Sequence, residues 1–185
     1  MRTILRTSTA VLAVILSIGV AQADEAAHPA AVVSTFTVTG DVESATTWDE
    51  AKVRKDFSAD IQTVHYTLKG TGHTSQCVPL LSIIDAAHPS VNSHIKHHDL
   101  QFFVQVQGFD GYTVAFSMAE LLPSIGNRKV WVALDQDGAP LHEEGGALEV
   151  IVPDDVKPAR WVHGITAVNV VDGAKLPVPS AVSAK

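Results

Sequence analysis

Leu100-Gln101-Phe102-Phe103-Val104-Gln105-Val106-Gln107-Gly108-Phe109-Asp110-Gly111-Tyr112-Thr113-Val114-Ala115-Phe116 is the stretch that decides the fold class. Before the Asp-Gly pair, polar Gln101, Gln105 and Gln107 alternate with apolar residues, which is the period of a strand with one buried face. Phe102 and Phe103 therefore point to opposite sides. Asp110-Gly111 is turn chemistry, because Gly adopts positive φ without steric cost. Gly111 to Phe116 resumes the strand pattern, so the whole stretch predicts an antiparallel hairpin.

Further strand signals lie on either side of this hairpin. Upstream, Val33 to Val42 is rich in β-branched residues and closes near Gly40-Asp41, and Ile61 to Leu68 alternates again. Downstream come Val130 to Leu134, the Asp137-Gly138 turn, Leu148 to Val152 and Ile165 to Val171. Helices are few. Pro79 suits the first position of a helix through Ala87, where a missing N–H costs nothing, and Pro89 stops it. Leu80, Leu81, Ile84 and Ala87 fall at helical spacing. Ser117-Met118-Ala119-Glu120 is a capping box, followed by Leu121, Leu122 and a terminating Pro123. Trp131 and Trp161 sit among aliphatic residues and read as core, whereas Trp48 lies near a turn and reads as exposable. Many strands with two or three short helices define an α+β, mostly β domain.

The ends of the chain have other signatures. Arg2 and Arg6, the uncharged run Ala10 to Val20 and Ala21-Gln22-Ala23 form a secretory signal peptide over residues 1–23. The apolar run falls short of the roughly 20 residues a membrane span needs. Arg2 and Arg6 are not adjacent, which favours the general secretory route over the twin-arginine route. The expected product is periplasmic or secreted, with no membrane span left after cleavage. Residues 24–31 read as a flexible lead, 32–172 as one domain and 173–185 as a flexible tail containing Pro177 and Pro179.

Cleavage after Ala23 removes two of 13 basic residues and none of the 20 acids, moving the formal net charge from -7 to -9. That balance excludes a nucleic-acid binder, which needs clustered Lys and Arg, and disfavours an anionic membrane surface. The partner expected is a periplasmic protein or a small-molecule ligand. The single cysteine, Cys77, leaves no internal disulfide. There is no Gly-x-Ser-x-Gly elbow and no phosphate-cradling glycine loop.

His94-Ile95-Lys96-His97-His98 is the densest histidine cluster. On a helix, His94, His97 and His98 would share a face and offer neutral imidazoles to zinc, copper or nickel. Pro89 and Asn92 argue instead for a polar loop leading into the Leu100 strand.

The ordered set of turns resembles the oxidoreductase molybdopterin-binding domain of the sulfite-oxidase type. Phe109-Asp110-Gly111-Tyr112 looks like that family's Asp-Gly-Tyr hairpin, and Ser117 to Leu122 like its following short helix. Asp137-Gly138-Ala139-Pro140-Leu141 is similar to its Asn/Asp-Gly-x-Pro-Leu turn, and Gly145 to Pro153 to its Gly-x-x-Arg-Leu-Val-x-Pro strand. Arg160-Trp161 with Gly164-Ile165 resembles the closing Lys-Trp-x-x-x-Ile strand. Cys77-Val78-Pro79-Leu80 resembles Gly-Val-Pro-Leu at a helix start, with Cys77 in the glycine slot.

The resemblance covers roughly Thr35 to Asp172. It implies the sulfite-oxidase fold, a molybdopterin cofactor and an oxidoreductase activity. It also implies a cysteine thiolate on molybdenum, at the end of the strand before the Val-Pro-Leu helix. That slot falls near Leu68, which cannot ligate a metal. Gly70 to His73 stands where the full enzymes have a longer loop. Cys77 lies several residues downstream, as a packing residue or as a substitute ligand whose pKa a helix start would lower. Lys157, Arg160 and His163 are the candidates for the pterin pyrophosphate, or else ordinary solvated residues; Pro158-Ala159 stands where the family carries Gly-x-Lys. Cofactor insertion in this family happens in the cytoplasm, so a general secretory signal would deliver an empty chain. Three functions follow: an exported binding or accessory module without molybdenum, a molybdopterin-dependent oxidoreductase with an unusual ligand set, or a periplasmic metal binder using the histidine cluster.

Overall fold

The computed structural model describes residues 35–141 and 148–177. The signal peptide, the flexible lead and most of the expected tail lie outside the described residues, as do Val33 and Gly145 to Ala147. The elements run β1 (Phe36–Gly40), β2 (Thr46–Trp48), α1 (Glu50–Asp56), β3 (Gln62–Leu68), β4 (Thr71–Pro79), α2 (Leu80–Ala86), β5 (Phe102–Gly108), β6 (Thr113–Ser117), α3 (Met118–Leu121), β7 (Trp131–Ala133), β8 (Glu149–Ile151) and β9 (Ile165–Asp172). A 3-10 turn precedes β5 at His98–Gln101, and another follows β9 at Gly173–Lys175, inside the stretch expected to be flexible.

Two sheets hold these strands. The first has the order β2-β1-β9-β5-β6 and the second β3-β4-β7-β8. Only β1 and β9 pair in parallel; the remaining pairs are antiparallel. The hairpin expected around Asp110-Gly111 forms as β5–β6, with Phe103 opposite Ser117 and Gln107 opposite Thr113. Phe102, Val104 and Val106 are buried while Gln105 and Gln107 face solvent. One cluster of buried apolar residues draws on both sheets and on α1, α2 and α3 through Val53, Ile83, Ile84 and Met118.

Local chemistry explains the helices. Ser117 and Glu120 form the capping box in full, with Glu120 N donating to Ser117 Oγ at 3.1 Å and Ser117 N to Glu120 Oε1 at 3.0 Å. Pro79 is the residue before α2, one place earlier than expected. Helix α1 was not foreseen, although its signals are present. Asp49 caps it by accepting from Lys52 N at 2.8 Å, and Glu50 pairs with Arg54 one turn on at 2.8 Å. Trp48 is a correction. It ends β2 at 3% exposure, packed on Phe36 and Phe57.

Strand β4 is the larger difference. Gly70 to His73 was read as a loop, and Cys77 was placed beside a helix start. Residues 71–79 are instead one continuous strand, paired with β3 from Thr71 to Cys77 and with β7 from Cys77 to Pro79. Among the described residues no helix is long and apolar enough to cross a membrane.

Candidate functional site

The site implied by the resemblance is the end of β3. There Leu68 pairs with Thr71, and only Lys69 and Gly70 join the two strands. Lys69 has φ 51° and Gly70 φ 84°, so both central residues are left-handed, as a two-residue type I′ hairpin requires. Gly takes this conformation freely; Lys69 takes it at some cost. A turn this tight leaves no loop to fold over a cofactor. Leu68 packs against the core from its half-buried position.

Cys77 lies elsewhere. It pairs with Gln62 on one side and Ala133 on the other, in the middle of the second sheet. From Thr71 to Cys77 is six residues of strand, about 20 Å at the usual rise. The side chain is fully buried, with Sγ 3.3 Å from Ser75 Oγ. Burial pushes the thiol up to about 12, the opposite of the lowering expected from a helix start. The geometry is that of a packed core residue.

The three basic candidates diverge. Arg160 is held in place by acids: Nε and Nη2 each lie 2.8 Å from an Asp155 oxygen, and Nη1 lies 3.4 Å from Glu120. Its guanidinium also covers the Phe116 ring at 5.0 Å. The bidentate bond to Asp155 holds that carboxyl below its ordinary range. His163 turns toward β8, with Nδ1 3.0 Å from Oε1 of the buried Glu149. That contact raises its pKa against the opposing effect of partial burial. Lys157 is exposed. The three side chains do not converge on one anion.

The histidine trio does not form a metal site. Residues 93–97 form turns and a bend, not a helix, and His97 itself is left-handed. His98 turns inward to 5% exposure, where its Nδ1 accepts from Asn92 N at 2.9 Å and its Nε2 lies 3.2 Å from buried Asp172. Both ring nitrogens are therefore engaged, while His94 and His97 stay in solvent. Among the described residues no three His, Cys, Asp or Glu side chains gather at metal-binding spacing.

One feature beside the hairpin escaped the sequence reading. His65, Tyr66, Thr67, Gly72, His73, Thr74 and Asp137 line a shallow depression of about 390 Å³. Tyr66 meets Trp161 edge to face at 5.2 Å and donates to Gln136 Oε1 at 3.3 Å. Burial pushes the phenol up to about 12. His73 Nδ1 lies 2.7 Å from Asp137 Oδ2, and Thr74 N donates to the other oxygen at 2.8 Å. Those bonds, the one from His73 first, hold the Asp137 carboxyl low. The depression offers an aromatic edge, imidazoles and an ionised carboxylate. The tyrosine hydroxyl stays protonated, and the cysteine is out of reach. The signal was available, since Asp137 belongs to a recognised turn, but its partner strand had been read as loop.

These features define an α+β domain, mostly β, of the sulfite-oxidase type. Among the solved structures it matches is the sulfane dehydrogenase SoxCD from Paracoccus pantotrophus, with a TM-score of 0.53 and 16% identity, over 75% of this chain and 38% of that one. The likeness establishes the fold. This chain spans well under half the length of that enzyme. No family model and no curated protein matches the sequence.

Proposed function

We propose that this chain is an exported binding or accessory module, which keeps the sulfite-oxidase-type fold without the thiolate that would hold molybdenum. The observation that carries the reading is the two-residue turn at Lys69-Gly70 beside Leu68. A molybdenum centre of this type needs sulfur at that place. Leu68 supplies none, and Cys77 is buried about 20 Å along the neighbouring strand. The anchors for a pyrophosphate fare no better, since Arg160 is already neutralised by Asp155 and Glu120. The residues present do not fit the loaded cofactor. What remains is the depression around Tyr66, His73 and Asp137, suited to a flat hydrogen-bonding ring of the pterin kind held without metal. The signal-peptide pattern over residues 1–23 supports a site of action outside the cytoplasm.

Elemental and pterin analysis of the native protein, purified from periplasm, tests this. The expected result is a mature chain beginning at Asp24 with far less than one molybdenum per chain, whether or not a pterin is extracted. Stoichiometric molybdenum would overturn the reading in favour of an oxidoreductase.

A further inference from the structure

A second cavity lies at the other end of the β3–β4 hairpin, where β3 begins and β4 ends. It encloses about 190 Å³ between α2, the start of β3 and the 121–131 segment. At roughly 30 Å³ per water, this is room for about six waters. That is below the roughly 300–1,000 Å³ of pockets for drug-sized ligands, and close to a single amino acid. Pro79, Leu81, Leu121, Pro123 and Trp131 supply apolar wall.

Charges of both signs share this cavity. Asp85 of α2 lines it, as do Arg128 and Lys129. Among the described residues neither Asp85 nor Arg128 makes a side-chain hydrogen bond, whereas Lys129 Nζ donates to Asn127 Oδ1 at 2.9 Å. Asp85 stands exposed at the mouth; partial desolvation of its carboxyl pushes it up against the opposing charge of His88, so a cation beside it would be favoured. The cationic wall is held rigidly. Gly126 N donates to Ala119 O at 3.0 Å, and Arg128 N to Glu120 O at 2.7 Å. Gly126 packs so closely that a Cβ there would fall 2.6 Å from Glu120 Cα. Arg128 and Lys129 are thus presented by a loop bonded to α3, and Asp85 by α2, which lowers the ordering cost of binding.

We infer that this cavity binds a small zwitterion with an apolar body, an α-amino acid of leucine size, its ammonium on Asp85 and its carboxylate on Arg128 and Lys129. The apolar body would lie along Leu81, Leu121 and Trp131. The site is independent of the depression beside Lys69-Gly70, so either reading can fail without the other.

Calorimetric titration of the mature full-length chain tests it with matched probes: L-leucine, 4-methylpentanoate without the ammonium, 3-methylbutylamine without the carboxylate, and glycine without the apolar body. Leucine should bind one to one, with the acid and the amine each weaker by at least about tenfold for the missing charged hydrogen bond, and glycine weaker by about tenfold or more for the lost apolar burial. Asp85→Asn should bring leucine down to the affinity of 4-methylpentanoate and leave 4-methylpentanoate unchanged. A double Arg128→Gln, Lys129→Gln variant should do the converse with the amine. These residues are at the surface, and circular dichroism confirms that the variants fold. The proposal fails if leucine binds no tighter than its truncated relatives, if nothing binds at millimolar concentration, or if both variants bind leucine as tightly as the natural chain does.

Discussion

Two hairpins of this chain, β5–β6 and β3–β4, share a topology and differ in what covers them. In β5–β6 one face is sealed: Val104, Val106 and Phe116 are buried, and Gln105 and Gln107 remain outside. In β3–β4 the pairing is longer, from Gln62 opposite Cys77 to Leu68 opposite Thr71, yet Thr63, His65, Thr67, Thr71 and Gly72 are all exposed. The first hairpin is held by apolar burial and announces itself as alternation. The second relies more on backbone pairing and turn chemistry, with Tyr66, Cys77 and Val78 as its buried apolar side chains. The chemistry of the candidate site sits on the hairpin that contributes less to the core.

Phe116→Ala sharpens that contrast most. Removing a fully buried ring should cost about 3–5 kcal/mol, whereas Thr67→Ala on the exposed hairpin should cost less than about 0.5 kcal/mol. Urea unfolding followed by circular dichroism measures both. Comparable losses would break the distinction between the two hairpins.

Next in size is Cys77→Ser. The substitution puts a hydroxyl into the buried centre of the second sheet, with only Ser75 at hand as a partner. A loss of about 1–3 kcal/mol is expected from desolvation. The same variant should leave metal and pterin content unchanged, because the thiol is not at the site.

Gly70→Ala acts on the turn alone. No atom lies near the position of an added Cβ, so the cost is conformational, about 1–2 kcal/mol for a left-handed residue. The unfolding midpoint should fall with the denaturant slope unchanged. A larger loss would mean that the turn carries tertiary contacts.

The smallest effect concerns pH. Arg160 depresses the Asp155 carboxyl in the folded chain. A depressed carboxylate contributes stability that is present above the unfolded value, about 3.9, and lost as pH falls through the lower folded value. The stability difference between the natural chain and Asp155→Asn should therefore shrink as pH drops below about 4. Its size at neutral pH should stay under about 1 kcal/mol for a pair so near the surface. His163 behaves in the opposite sense. Its raised pKa gives stability that is complete below about 6.5 and lost as pH rises through the folded value.

The strands that bury a face were legible because burial imposes a period. Strands β5, β6 and β9 fall where expected to within a residue or two, and so does the capping box of α3. Strand β4 was not legible, because Thr71-Gly72-His73-Thr74-Ser75-Gln76 carries no apolar period and its pairing with β3 is set by the Lys69-Gly70 turn. That misreading hid the depression around His73 and Asp137, since the two residues meet across 64 positions of sequence. The histidine cluster failed for a related reason: spacing gives a shared face only on a helix, and His98 gains more by turning inward to Asp172.

The central claim is that the folded chain presents no thiolate for molybdenum. Labelling of Cys77 with a small thiol reagent at pH 8, native and in denaturant, read by mass spectrometry, tests it most directly. A buried thiol pushed up to about 12 should stay unmodified in the native chain and label fully once unfolded. Rapid labelling of the native protein, suppressed by a bound cofactor, would contradict it.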